Sequence, residues 1–353
     1  MILLAVAAAA TGRPAGADAP SDRLRRFFES WYAYFPGGTV SVTPLPEMDQ
    51  AGLSAFRVDR KSSSPAHQET SVVLWDPARQ EVLVGDVFAD PNRRKSGRPF
   101  DPKTDLPNVQ ASLAEAFGLP VRATRAGAAR GPLEPLRIEI RQRADAILSR
   151  DGFASKDGSL IALGEFVSVP TGVEAFRRRL LSERPGVRHG SGRFTVTEFL
   201  DFQCERCRAR APEVEKAVAE RGGTVEARFL PLVRHHDWAF AAAESAAALA
   251  TLDPALYPKY RADVFARAES LNAQGCRDLA RDLAESAGLA ARFGEEIASG
   301  RARDRVLADM RLASRLGVSI TPTFVFDGTL VSGEPGLLET RLFERLGAAG
   351  AKK

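Results

Sequence analysis

The spacing of hydrophobic positions changes several times along the 353-residue chain. From Asp22 to Tyr34 they recur at intervals of three and four, the pattern of an amphipathic helix. Four alternating or apolar runs follow, Thr39–Pro44, Ser54–Arg60, Glu69–Trp75 and Val82–Phe88, and these predict strands. The same order then recurs, with a helix at Val109–Phe117 and strands at Val121–Thr124, Leu136–Arg143, Ala144–Ser149 and Leu160–Val167. Ser54–Arg60 matches Glu134–Ile140 in character, and Glu81–Phe88 matches Ser159–Phe166, each an apolar run closing on glycine, acid and an apolar residue. Asp76-Pro77 and Lys156-Asp157-Gly158 place turn signals at corresponding points. This self-similarity predicts two small tandem α+β modules, residues 20–90 and 109–170, joined by a polar, proline-rich linker at 91–108. A basic amphipathic run, Val173–Leu181, makes 171–191 a linker helix into the last domain.

That last domain, residues 192–353, reads differently. A strand-like run, Phe194–Gln203, leads to a helical one, Arg208–Arg221, and to a second strand, Thr224–Phe229. Residues 239–316 hold only helical spacing, broken at Asp253-Pro254, Pro258, Gly275 and Gly288. Ser319–Phe326 and Thr329–Val331 flank Asp327-Gly328, a hairpin signal, and a helix follows from Pro335 to Leu346.

Composition limits the functional classes. The 49 basic and 45 acidic residues nearly balance, and no concentrated basic tract is present, which argues against nucleic acid as a partner. Met1–Ala10 is apolar, and small residues continue to Ala19, with Ala15-Gly16-Ala17 or Ala17-Asp18-Ala19 as a cleavage site. Residues 1–19 therefore predict an export signal, too short to span a bilayer, whose missing basic start points to an upstream start codon. Three cysteines give no structural disulfide framework, so the chemistry centres on the close pair Cys204 and Cys207.

Cys204-Glu205-Arg206-Cys207 sits between a strand and a helix. Helix N-termini favour a thiolate, the species that attacks in disulfide exchange. A pair packed in a core, or half of a zinc site completed by Cys276 and histidines, are the other readings of the spacing. Glu198, six residues upstream, shares a strand face with Val196, Leu200 and Phe202, where burial should raise its pKa unless a Lys or Arg pairs with it; Asp201 falls on the other face.

Strand, Cys-x-x-Cys, helix, strand, helical insertion, Thr321-Pro322, hairpin and helix, in that order, resemble the thioredoxin superfamily and, within it, exported bacterial DsbA-like thiol:disulfide oxidoreductases. The resemblance covers about Phe194–Leu346 and implies an α/β thioredoxin-like fold with an all-helical insertion at 239–316. It implies Cys204 as nucleophile, Cys207 as the resolving thiol, and Glu198 as a proton exchanger beneath them. It further implies a kink at Pro212 and a cis peptide at Pro322, where the Thr321 backbone receives an extended substrate. Glu205 and Arg206 would tune the redox poise, and His236 would serve in packing, capping or the site. No cofactor or metal beyond the redox-active Cys204–Cys207 disulfide is implied. The expected partners are unfolded or cysteine-containing exported proteins and a membrane redox partner, with a periplasmic monomer favoured. An isomerase or reductase of the same fold, or a non-enzymatic chaperone-like protein using the N-terminal modules, are the alternatives. Cys276 reads as a small buried hydrophobe.

Overall fold

The computed structural model describes residues 19–33, 38–50, 52–63, 66–89, 99–141 and 147–351. The expected export signal, apart from Ala19, and residues 91–98 of the expected linker lie outside the described residues.

The two modules are there, and they share one sheet. The first runs α1 (Pro20–Trp31), β1 (Thr39–Pro44), β2 (Ser54–Ser63), β3 (Ala66–Asp76) and β4 (Glu81–Ala89). The second repeats the order with α2 (Pro102–Phe117), β5 (Val121–Arg125), β6 (Leu133–Arg141), β7 (Ile147–Ser155) and β8 (Leu160–Ser168). The linker is shorter than 91–108, because α2 begins at Pro102. Proline at N1 forfeits no helical bond, Asp101 caps the turn by accepting from Lys103 N at 3.0 Å, and interior Pro107 is tolerated. Each module is a meander, and the eight strands lie in the order β1-β2-β3-β4-β8-β7-β6-β5.

The modules therefore meet through their last strands, antiparallel, with Gly85 opposite Gly164. These are the glycines of the two matching apolar runs. A Cβ on Gly85 would lie 1.9 Å from Leu163 O, and one on Gly164 2.0 Å from Val84 O. Only glycine permits this approach. The pairing makes a local two-fold arrangement, and its register puts Val82, Val84, Ile161, Leu163 and Val167 on one face. Both helices cover that face, α1 through Leu24, Phe27, Phe28 and Trp31 and α2 through Val109 and Leu113.

The C-terminal domain packs on the same face. Helix α3 (Val173–Ser182) presents Val173, Phe176, Arg177 and Leu180 at helical spacing. The expected linker helix 171–191 ends in a strand, β9 (Val187–His189), too short for a sequence pattern to reveal. A five-stranded sheet follows in the order β13-β12-β10-β11-β9, from β10 (Phe194–Leu200), β11 (Gly223–Phe229), β12 (Thr323–Phe326) and β13 (Thr329–Ser332). β10 and β11 are parallel and joined by α4 (Glu205–Glu220), while β12 runs antiparallel to β10.

The insertion is all helical: α5 (Ala239–Leu252), α6 (Leu256–Arg267), α7 (Ala273–Ser286), α8 (Ala290–Ala298) and α9 (Arg301–Leu316). Helix α10 (Pro335–Leu337) runs through a π-turn, Leu338–Phe343, into α11 (Glu344–Ala351). One apolar cluster joins Trp31, Phe56 and Trp75 of the first module to Phe199, Tyr257 and Leu316 of the last domain.

Buried Arg177 fixes this seam. It donates to Trp31 O at 2.8 Å and Leu316 O at 3.1 Å, with its guanidinium over the Trp31 ring. Arg228 is likewise buried; its bond to Asp309 (3.1 Å) holds α9 to β11, and Glu226 of the same strand pairs with it at 3.0 Å.

Replacing Gly85 or Gly164 by valine is expected to cost about 3 kcal/mol or more, because the clash is with backbone and cannot be relieved by a rotamer. Denaturant unfolding of each single variant checks this, and an unchanged midpoint would refute the close approach.

Candidate active site

Strand β10 ends at Leu200, earlier than the run to Gln203 suggests, because Asp201 starts a turn. Its Oδ1 accepts from Gln203 N at 2.7 Å, its carbonyl accepts from Cys204 N at 3.2 Å, and α4 then begins at Glu205 with Cys204 as its N-cap. The second cysteine falls one turn into the helix. Pro212 stands inside α4, which continues to Glu220.

The two sulfurs occupy unlike environments. Cys204 is partly exposed and Cys207 fully buried, and both are free thiols. A hydrogen bond from the Cys207 thiol lowers the Cys204 pKa to about 6, aided by Thr321 and the Cys207 amide and opposed by burial. Burial pushes Cys207 well above the ordinary thiol range, and the charges of Cys204 and Glu198 push the same way. Negative charge in the dithiol therefore sits on the sulfur that substrate can reach.

The Thr321–Pro322 peptide is cis, and the Cys204 thiol donates to Thr321 O at 3.4 Å. The expected strand Ser319–Phe326 begins only at Thr323, after this proline. The structure thus brings Cys204, Thr321 and Pro322 together across 117 residues of chain.

Glu198 lies beneath the pair, completely buried. Its Oε2 accepts from Arg261 at 2.9 Å, and its Oε1 is buried without a hydrogen-bond partner. Desolvation raises its pKa to about 7 in spite of Arg261. Arg261, from α6 of the insertion, also pairs with Glu215 of α4. The sequence raised the possibility of a basic partner without locating it.

Asp201 is the residue that sequence reasoning missed. Strand alternation puts it on the face opposite Glu198. Instead it is buried, and besides Gln203 N its carboxylate bonds to Leu232 N at 2.7 Å and His236 Nδ1 at 2.8 Å. Asp201 N donates to Cys207 Sγ at 3.4 Å. The bond to Asp201 raises the His236 pKa, and the Cys204 charge adds to this. Gln203 completes the clamp, donating to Asp237 at 2.9 Å and accepting from Trp238 N at 3.0 Å.

Glu205 and Arg206, at the motif's centre, are exposed. Arg206 pairs with Glu334 beside the cis-proline hairpin, so its charge is partly spent on closing that edge. Cys276 is buried in α7, and burial raises its pKa to about 12, an environment unsuited to reactivity. Among the described residues, no group of three or more His, Cys, Asp or Glu side chains is placed to hold a metal.

Residues 191–340 match the family model described as thioredoxin. The solved structures this chain is similar to include the thiol-disulfide exchange protein alpha-DsbA2 from Wolbachia pipientis. That match has 16% identity and TM-score 0.41, and covers 50% of this chain and 97% of that one. Another is the catalytic domain of Proteus mirabilis ScsC, with 18% identity, TM-score 0.40 and coverage of 49% and 99%. A third is oxidised BdbD from Bacillus subtilis, with 18% identity, TM-score 0.36 and coverage of 47% and 95%. No curated protein matches the chain.

The lowered Cys204 pKa predicts that thiolate absorbance of the reduced protein titrates near pH 6 and is lost in Cys204→Ser, while Cys207 contributes nothing below the ordinary thiol range. A pKa depressed on folding also adds stability that is complete above the unfolded thiol value and disappears as pH falls through about 6. The reduced protein should therefore gain stability over Cys204→Ser as pH rises from 6 to 9, and parallel stability curves would contradict the assignment.

Proposed function

We propose that residues 191–340, which match the thioredoxin family model, form a DsbA-like thiol:disulfide oxidoreductase domain, and that the chain is exported and transfers disulfides to cysteine-containing proteins in the periplasm. The observation that carries this reading is the unequal pair of sulfurs, a partly exposed Cys204 with lowered pKa over a buried Cys207 with raised pKa. In the oxidised state, a substrate thiolate attacks Cys204 Sγ. The Cys204–Cys207 bond breaks, a substrate–Cys204 disulfide forms, and the electron pair leaves on Cys207. A second substrate thiolate then attacks the substrate sulfur of that mixed disulfide, and Cys204 leaves as a thiolate. The substrate ends oxidised and the protein a dithiol.

Each residue has a task in this scheme. Cys204 leaves readily because its thiolate is stabilised, which favours the oxidant direction over the reductase or isomerase one. Cys207 is a buried leaving group of high pKa and needs a proton as the bond opens. Glu198, with its pKa near 7 and its charge felt at Cys207, supports the reading in which it exchanges that proton. The cis Thr321–Pro322 loop supplies backbone for an extended substrate to pair with. Export is supported by the apolar, small-residue composition of residues 1–19, and no described helix is long and apolar enough to cross a membrane. A membrane redox partner would return the dithiol to the disulfide, with the chain working as a monomer.

Cys204→Ser should abolish disulfide transfer to a reduced test protein; Cys207→Ser, which cannot form the internal disulfide, should transfer none either, but given a disulfide-bonded protein its Cys204 thiolate should attack that bond and stay trapped in the mixed disulfide. Full activity in Cys204→Ser would sink the enzyme reading and favour the chaperone-like one. Glu198→Gln should slow the proton-linked step by roughly ten- to a hundredfold at neutral pH and flatten its pH dependence near 7. A reduction potential near that of thioredoxin, measured against a glutathione buffer, would reverse the assigned direction.

A further inference from the structure

A cavity of about 1110 Å³ lies between the eight-stranded sheet and the C-terminal domain. Its floor is the module seam, with Val84, Gly85 and Gly164, and its roof is the last two turns of α9. Two of its walls run straight into the active site. Ser319 and Ile320 precede Thr321 and cis-Pro322, and Leu232–His235 precede His236, which is bonded to Asp201. The cavity thus reaches both loops that border Cys204.

The lining combines two chemistries. Phe28, Trp31, Leu148, Met310 and Ile320 supply apolar surface. Seven arginines face five carboxylates, an excess of positive charge. Most of these arginines are paired. Arg60 bonds to Glu69, Arg150 to Asp86, Arg184 to Asp309, and Arg315 to Glu165 and Glu183.

Arg234, which is exposed, and Arg311, on the α9 turn facing the cavity, are the exceptions, and of the two only Arg311 is withdrawn from water. It is half-buried, and among the described residues it makes no hydrogen bond or ion pair. Burial lowers its pKa, Arg137 and Arg184 lower it further, and the carboxylates of Asp304 and Asp151 offset this only in part. A desolvated guanidinium with cationic neighbours is a receptor for a carboxylate.

We propose that this cleft binds the substrate polypeptide segment flanking the reactive cysteine, an extended stretch bearing apolar side chains and an acidic residue that pairs with Arg311. The proposal rests on the oxidoreductase reading above and adds a substrate preference to it. It gives the N-terminal modules a task, as the second wall of the substrate site. The volume fits several residues of extended chain better than one small thiol. The cysteine of the bound segment would lie at the mouth, where its thiolate attacks Cys204 Sγ and the electron pair leaves on Cys207.

The test uses the oxidised full-length chain and two extended peptides, each with one cysteine and apolar neighbours, differing only in Asp against Lys at one position. The rate of mixed-disulfide formation should be roughly tenfold or more higher for the Asp peptide, the worth of one charge-assisted pair. Arg311→Ala should erase that preference and Arg311→Lys should keep it, with all three proteins reacting equally with dithiothreitol. A preference surviving in Arg311→Ala overturns the proposal. So does a parallel loss with dithiothreitol, which would place the effect on the dithiol. Glutathione reacting as fast as the Asp peptide would make the cleft a small-anion site and overturn it too. If the wild-type protein reacts with no thiol at all, the oxidoreductase reading has failed instead. Calorimetric titration of Cys204→Ser with the peptides then decides the cleft alone, since Arg311-dependent binding of the Asp peptide supports it and no binding refutes it.

Discussion

The arrangement of the redox domain depends on a buried ion pair. Glu198 and Arg261 are almost wholly removed from water, and ions so placed are tolerable only when they meet. Glu198 belongs to the central strand under the dithiol, and Arg261 to a helix 63 residues later in the insertion. Their meeting fixes α6 against β10, and through Glu215 it also fixes α4, whose first turn carries both cysteines. The same burial leaves Glu198 poised near neutrality, so one constraint both assembles the site and sets the pKa of the carboxyl at its base.

A second buried carboxylate works by gathering donors. Asp201 binds the turn before Cys204, the strand exit at Leu232 and the imidazole of His236. Removing any of these partners would strand a charged acceptor away from water. The approach to Cys204 is therefore bordered on one side by the Asp201 network and on the other by the Thr321–Pro322 loop, whose Thr321 carbonyl accepts from the Cys204 thiol.

Much of this was legible in the sequence, for reasons that separate the cases. The cysteine spacing, Thr321-Pro322 and the helical run 239–316 are local patterns, and period and turn chemistry read local patterns well. The tandem modules were legible because the order of elements repeats, and the Gly-acid-apolar endings marked the strands that pair. Arg177, Arg228 and Arg261 were not legible. Each is an arginine among apolar neighbours whose partners lie far off along the chain or on another element, and no periodicity reports a distant partner. Asp201 left a weak signal, since an aspartate at a strand end two residues before a free amide is an Asx-turn former. Face alternation pointed it outward, but alternation stops where the strand stops. Strand β9 and the start of α2 were lost for the opposite reason, a three-residue strand being too short to show a period and two prolines imitating a linker.

The Gly85–Gly164 seam has an evolutionary reading. In an assembly of identical subunits, every substitution appears on both sides of the axis at once. Here the two sides are separate stretches of one chain and mutate independently. The two sides differ accordingly, for the first module shares an apolar core with the redox domain, while the second holds a core of its own beneath α2. The result is one dithiol for two platform modules, a stoichiometry that no symmetric pair of such chains, each carrying one module and one dithiol, can reach.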